Sequence, residues 1–294
     1  MLVAHLSDLH LRDAGDVIWL ERQLDRIAER NPVHLAITGD LLDRWSPRLL
    51  RAALAALRVR GLLEGRRTTL LHGNHDLASS GGHPRRRQDL WRLVTRFWDP
   101  PPLVTARRRR FYRMIERIAP GVAAAAPFVK HADSDLRIAV IDSVPTPWRP
   151  LRIYGRRVVI RHAIGCVRPR QAQWLASLHG TSALVMLVHH YPLPVSAFCW
   201  KPERTGRLQA LRWLERVEVP MEIPAADRAS LWKAARHART RLILCGHVHR
   251  AGLEVNDGIA VGLNGQSGAA WAGRTIAWYQ IGTRDVKMST ESVS

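Results

Sequence analysis

Leu70-Leu71-His72-Gly73-Asn74-His75-Asp76 reads as the end of a buried strand, entered through Thr68 and Thr69, that turns at a glycine and presents polar side chains at its tip. In an open α/β sheet the carboxyl ends of the strands form the ligand crevice, so Asn74, His75 and Asp76 would face into it. Taken alone, Gly-Asn-His-Asp is equally an ordinary turn. Its partners elsewhere in the chain decide the reading.

Four more apolar runs end in the same residue types. Residues 2–6 lead into Ser7-Asp8-Leu9-His10, and residues 35–37 into Thr38-Gly39-Asp40-Leu41-Leu42-Asp43-Arg44. Residues 184–188 lead into His189-His190-Tyr191-Pro192, and residues 242–245 into Gly246-His247-Val248-His249. Any one of these is a turn or a satisfied buried histidine. Five strand ends carrying Asp, Asn and His in this order are a different matter.

Taken in order, the first strand is followed by Val17, Leu20, Leu24 and Ile27, a helical spacing stopped at Asn31-Pro32. A second strand over residues 33–37 precedes a helix carrying Leu49, Leu50, Ala53, Leu54 and Leu57, closed by Gly61, and a third strand covers residues 68–72. This β-α-β-α-β run predicts parallel strands with covering helices. Residues 78–135 read as a basic insertion or lid on a single domain spanning residues 1–294, with helical patches at 90–98 and 111–118. Strand character returns at 136–141 and ends in Asp142-Ser143. A helix opening at Gly165-Cys166-Val167 carries Gln171, Trp174, Leu175 and Leu178, and further helical patches lie at 208–217 and 228–238. The tail, at 253–256, 259–263 and 275–281, reads as antiparallel strands finishing a second sheet.

A chain of 294 residues can bury a large core without crosslinks. Cys166, Cys199 and Cys245 show no framework spacing and no secretory leader opens the sequence, which predicts a reducing, cytoplasmic location. The apolar runs fall short of the roughly 20 residues of a membrane-spanning helix. The formal net charge is +20, and all but four of the 45 basic residues are arginine, a bias that base composition alone can produce. The charge is nonetheless clustered at 85–87, 107–110 and 156–157. Such runs attract anionic substrate, and nucleic acid or the surface of an anionic membrane stands as a further partner.

Aspartate, asparagine and histidine supply the oxygen and nitrogen donors that divalent Mn, Fe, Co, Ni or Zn accept, and a pair of such ions needs a bridging carboxylate. In Asp-x-His and His-x-His, alternate residues of an extended tip share a face. Asp8-x-His10, Gly39-Asp40, Gly73-Asn74-His75-Asp76, His189-His190-x-Pro192 and Gly246-His247-x-His249, in this order, resemble the motif set of the calcineurin-like metallophosphoesterase superfamily. The resemblance covers residues 2–249. The His-His-x-Pro form and the Gln171-x-x-Trp174-Leu175 step are similar to its bacterial phosphodiesterase branch of cyclic-nucleotide and glycerophosphodiester hydrolases.

The resemblance implies an α/β fold of two mixed β-sheets stacked as a sandwich with helices on the outer faces. It also implies two divalent transition-metal ions (Mn, Fe or Zn). Asp8, His10, Asp40 and His249 would hold one, and Asp40, Asn74, His189 and His247 the other, with His190 the alternative to its neighbour. His75 then resembles the histidine that assists the leaving group, Asp43 the carboxylate that orients it, and Arg44 an arginine that contacts phosphate. The implied reaction is hydrolysis of a small or lipid-headgroup phosphodiester by hydroxide generated between the two cations. A nuclease using the arginine runs as a track, or a silent scaffold, is the alternative.

Overall fold

The computed structural model describes residues 1–78, 100–145, 151–160, 163–200, 215–265, 267–268, 274–283 and 285–293. Strands β1 (Leu2–Leu6), β2 (His34–Ile37) and β3 (Thr68–Leu70) run parallel, linked by helices α1 (Ala14–Arg30) and α2 (Pro47–Val59). The helix ends explain themselves. Asp13 accepts the Asp16 amide at the start of α1, Asn31 takes a left-handed conformation at its end, and Ser46 and Pro47 open α2.

After the third strand tip come α3 (Pro101–Ile118), the antiparallel pair β4 (Phe128–Asp133) and β5 (Leu136–Val140), then β6 (Leu151–Tyr154) and β7 (Arg157–Ile160). Helix α4 (Pro169–Ala176) leads to β8 (Ala183–Leu187), followed by β9 (Phe198–Trp200), β10 (Arg216–Val219), α5 (Ala225–His237) and β11 (Thr240–Cys245). Strands β12 (Ala251–Asn256), β13 (Ile259–Asn264), β14 (Thr275–Ile281) and β15 (Val286–Ser292) complete the chain.

One sheet has the order β15-β14-β1-β2-β3 and the other β12-β13-β11-β8-β5-β4, while β6-β7-β10-β9 form a small separate sheet. Alternation of side chains stacks the two large sheets. Val3, Ala36 and Leu71 of the first share one core with Ile138, Val140, Val185, Leu187, Leu242 and Leu244 of the second. Their sequence neighbours point the other way: Ala4, Leu35, Ile37 and Leu70 pack under α1, α2 and α3, and Ala139, Leu184, Met186 and Ile243 under α4 and α5. The fold is therefore the helix-sheet-sheet-helix sandwich that the motif resemblance implied.

Several elements differ from the sequence expectation. Helix α3 begins at Pro101, ten residues before the expected patch, because its buried side takes Val104, Phe111 and Ile115 together with the half-buried Arg108, which breaks the apolar period. The helix expected from Gly165 begins at Pro169. In the tail, β14 crosses to the first sheet and pairs antiparallel with β1, while β13 runs parallel to β11. Strand β4 lies within the expected insertion. The expected patch at 90–98, the arginines at 85–87 and residues 208–214 lie outside the described residues; Arg216 and Val217 at the end of that last patch belong to β10. Among the described residues no helix is long and apolar enough to cross a membrane.

Buried polar side chains brace the sandwich, both between and within its sheets. Asn264 on β13 donates to the carbonyls of His5 (2.6 Å) and Thr275 (3.1 Å) on the opposite sheet and accepts from Thr275 Oγ1 at 2.8 Å. His5 meets Thr38 Oγ1 at 2.8 Å, and His34 lies between the Arg66 carbonyl and Thr69 Oγ1, each at 2.8 Å. Burial pushes both imidazoles down to about 3.

Asn264→Ala should cost about 2–3 kcal/mol, because it strands buried acceptors, and this is read from the denaturant midpoint. Histidines neutral when folded but titrating at 6.5 when unfolded let the unfolded chain bind protons first, so stability falls as pH drops from 6.5 toward about 3. The fall across that interval should be shallower in His34→Gln.

Candidate metal centre

Every candidate ligand sits at the C-terminal end of a parallel strand: Asp8 and His10 beyond β1, Asp40 beyond β2, Asn74 beyond β3, His189 beyond β8, and His247 and His249 beyond β11. At these tips the backbone turns sharply. Asp8, His10, Asp40, His247 and His249 all have φ between 46° and 70°, a left-handed conformation that costs a side-chain-bearing residue about 1–2 kcal/mol. Bonds between tips hold it. The Asp8 amide donates to the Gly39 carbonyl (3.1 Å), His10 to Asp40 (2.9 Å) and Gly246 to His189 (3.0 Å). Glycine is required where tips touch: a Cβ on Gly73 would stand 2.2 Å from Asp40 Oδ1, and one on Gly246 2.2 Å from Asp8 Oδ2.

The tips bring together three overlapping groups able to hold a metal ion: Asp8 with His10 and His249, His10 with Asp40 and His75, and Asp40 with His189 and His247. His249 Nε2 lies 3.3 Å from Asp8 Oδ1, and His189 Nε2 3.4 Å from Asp40 Oδ2 and 3.0 Å from Asn74 Oδ1. His10 Nε2 stands 3.8 Å from Asp8 Oδ1 and 3.8 Å from Asp40 Oδ2. Asp40 thus belongs to two of the groups and adjoins the other through His10. Its other oxygen accepts the His75 amide at 2.8 Å.

The donor chemistry fits cations. His189 Nδ1 donates to the Thr38 carbonyl (2.9 Å) and His247 Nε2 to the Ala163 carbonyl (2.8 Å), which fixes both tautomers with the remaining nitrogen as a lone-pair donor. His189 Nε2 then confronts two acceptor oxygens. Burial disfavours a proton there, yet Asp40 raises the imidazole to about 9, the response of a nitrogen in a site built for positive charge. Burial likewise opposes ionisation of Asp8 and Asp40, but the imidazoles around them, His10 and His249 for the first and His189 and His75 for the second, hold both carboxyls well below the usual range.

The two adjacent histidines have different partners. His190 pairs through Nδ1 with Ser143 Oγ at 2.8 Å, whereas His189 faces Asp40 and Asn74. His75 Nδ1 donates to the Asp43 main-chain carbonyl at 3.1 Å, with the Asp43 carboxylate further off at 3.9 Å. The backbone of Asp43 is therefore the nearer orienting group. Arg44 is exposed.

The sequence reading placed Asp76 in the crevice and Asp142 at a strand end but gave neither a chemical role. Asp76 is fully buried and accepts the amides of Gly73 and Leu42, each at 2.8 Å, tying the third strand tip to the second; burial first and Asp40 second push its carboxyl up to about 7. Asp142, at the tip of β5, lies 3.3 Å from both His72 Nε2 and Arg108 Nη1, while His72 Nδ1 meets Tyr112 OH at 2.6 Å. This network ties α3 to the residue preceding Gly73. Its only signal in the sequence was a carboxylate at a sixth strand tip.

Among solved structures, a dimetal phosphatase from Danio rerio aligns at a TM-score of 0.59 and 12% identity over 98% of this chain and 95% of that one. The protein TT1561 of Thermus thermophilus aligns at 0.53 and 12% identity, over 98% and 97%. A putative 5′-nucleotidase from Staphylococcus aureus aligns at 0.50 and 13% identity, covering 99% of this chain and 52% of that one. At these identities the likeness is one of fold. No curated protein matches the sequence. The model of the calcineurin-like phosphoesterases matches residues 1–251, a span holding every candidate ligand from Asp8 to His249, and the chain belongs to that family.

Proposed function

We propose that this phosphoesterase is a phosphodiesterase acting on a small or lipid-headgroup diester. The observation that carries the reading is the run of three overlapping histidine-carboxylate groups linked through His10 and Asp40. Asp8, His10, Asp40 and His249 would hold one divalent ion of the Mn, Fe or Zn class, and Asp40, Asn74, His189 and His247 the second. When bound, such ions supply Lewis acidity toward a phosphoryl oxygen and make water acidic enough to yield a nucleophile near neutral pH.

The chain's own groups do the rest. His75, half-buried and oriented through Nδ1 by the Asp43 carbonyl, would hold a proton at Nε2 for a departing alkoxide. Exposed Arg44 at the same rim favours approach of an anion. Preference for diesters rests on the His189-His190-x-Pro192 form. Free Cys166 and Cys245 are compatible with a reducing cytoplasm as its location.

A panel of alkyl and aryl diesters, monoesters, cyclic nucleotides and DNA, assayed with Mn²⁺, tests the reading; monoester turnover exceeding diester turnover would overturn it. Elemental analysis should find two metal equivalents per chain after loading. Asp40→Asn should lower both metal content and rate, the latter by more than about a hundredfold, whereas Arg44→Ala should keep its metal.

His75→Ala should retain both ions and lose on the order of 10²–10⁴-fold on an alkyl diester, with a much smaller loss on a nitrophenyl diester that departs unaided. Equal losses on the two esters would remove His75 from proton transfer.

A further inference from the structure

Helices α1, α2 and α3 cover the same face of the first sheet, yet their charges differ sharply. Helix α1 is balanced, with Arg22, Arg26 and Arg30 against Asp16, Glu21, Asp25 and Glu29. Helices α2 and α3 together carry nine arginines and a single carboxylate, Glu116, which accepts the Gly121 amide at 3.3 Å. A bias in base composition would load all three helices alike.

Two of these arginines turn inward, Arg107 to the Leu77 carbonyl (2.9 Å) and Arg108 to Asp142 and the Val144 carbonyl (3.0 Å). Arg109, Arg110, Arg113 and Arg117 on α3 and Arg48, Arg51 and Arg58 on α2 are exposed. Leu103, Ala106, Arg110, Arg113 and Arg117 follow a three-and-four spacing and so form one stripe along α3. Arg58 Nη2 reaches the Ile118 carbonyl at 2.7 Å and joins the two helices into a continuous face. Large apolar side chains stand exposed at its ends, Leu103 at 42% and Val59 at 82%.

We infer that this face docks on an anionic lipid bilayer. Concentrated like charge costs self-repulsion that an anionic partner relieves, and a cluster of this size matches the basic clusters that bind anionic headgroups. Leu103 and Val59 would enter the interface beside them. The aromatic residues of the two helices, Phe111 and Tyr112, are buried, so among the described residues the helices themselves offer no platform on which bases could stack. Trp45, on the link from Asp43 to α2, donates its amide to the Ala78 carbonyl at 2.8 Å, so the face adjoins the rim of the metal centre. Docking is a property of the surface and does not depend on which ester the centre cleaves.

Flotation with phosphatidylcholine vesicles, with and without phosphatidylglycerol, at physiological ionic strength tests it on the full chain. The protein should float only with the anionic vesicles. Arg110→Glu/Arg113→Glu/Arg117→Glu should weaken that binding by about a hundredfold, at roughly 1 kcal/mol for each arginine. The same variant should leave hydrolysis of bis-nitrophenyl phosphate unchanged, which shows that it folds. Arg170→Glu/Lys233→Glu/Arg239→Glu, an equal change of charge on the helical side of the second sheet, should float like the parent. Failure of the parent to float, an equal loss in both variants, or α3-dependent binding of duplex DNA without binding of vesicles would each overturn the inference.

Discussion

The structure depends on keeping Asp8 and Asp40 ionised at a depth where water does not reach them. Both are buried, both adjoin His10, and both are held in the charged form by the imidazoles around them. Like charges in a low-dielectric interior repel strongly unless positive charge stands among them. The compensating groups come from β1, β3, β8 and β11, so neither sheet can complete the centre alone. Stacking the sheets with their parallel strands ending at one rim makes the centre, and the centre's charges in turn fix how the two rims meet.

Much of this was legible in the sequence because the deciding features are local. The opening β-α-β-α-β run has unbroken apolar strands, helical spacing and caps at Asp13, Asn31 and Ser46, each readable within a few residues. The donors at the strand tips stood out because Asp, Asn and His rarely follow fully apolar runs without a reason. The structure brings Asp8, His10, Asp40, Asn74, His189, His247 and His249 to one rim.

What was not legible depends on distant partners. Strand β4 alternates half-buried and exposed residues, as an edge strand does, and so has no apolar run to announce it. The tail strands were visible, but which sheet β14 joins is decided by its pairing with β1, more than 270 residues away in sequence at Leu2 and Gln280. Helix α3 hid its first half behind arginines, because Arg108 occupies an inward position that becomes tolerable only once Asp142 is opposite it. The same holds for Asp76. In the sequence it faces the crevice along with Asn74 and His75, and only the folded chain shows it accepting two amides.

These hidden residues bear on the visible ones. Left-handed backbone at Asp8, His10, Asp40, His247 and His249 is costly, and glycine would relieve it, but glycine supplies no donor. Donor and strain therefore come together, and each strained tip must be held from outside. Gly39 and His189 supply carbonyls to neighbouring tips, Asp76 clamps the second tip to the third, and the carbonyls of Thr38 and Ala163 fix the tautomers of His189 and His247. A donor set whose ring nitrogens are assigned by backbone carbonyls is organised before any cation arrives, so the cost of arranging it falls on folding rather than on binding. That places the tolerance of the centre in its supports: removing the carboxylate of Asp76 disturbs two tips at once, while removing a solvent-facing side chain such as Arg44 disturbs none.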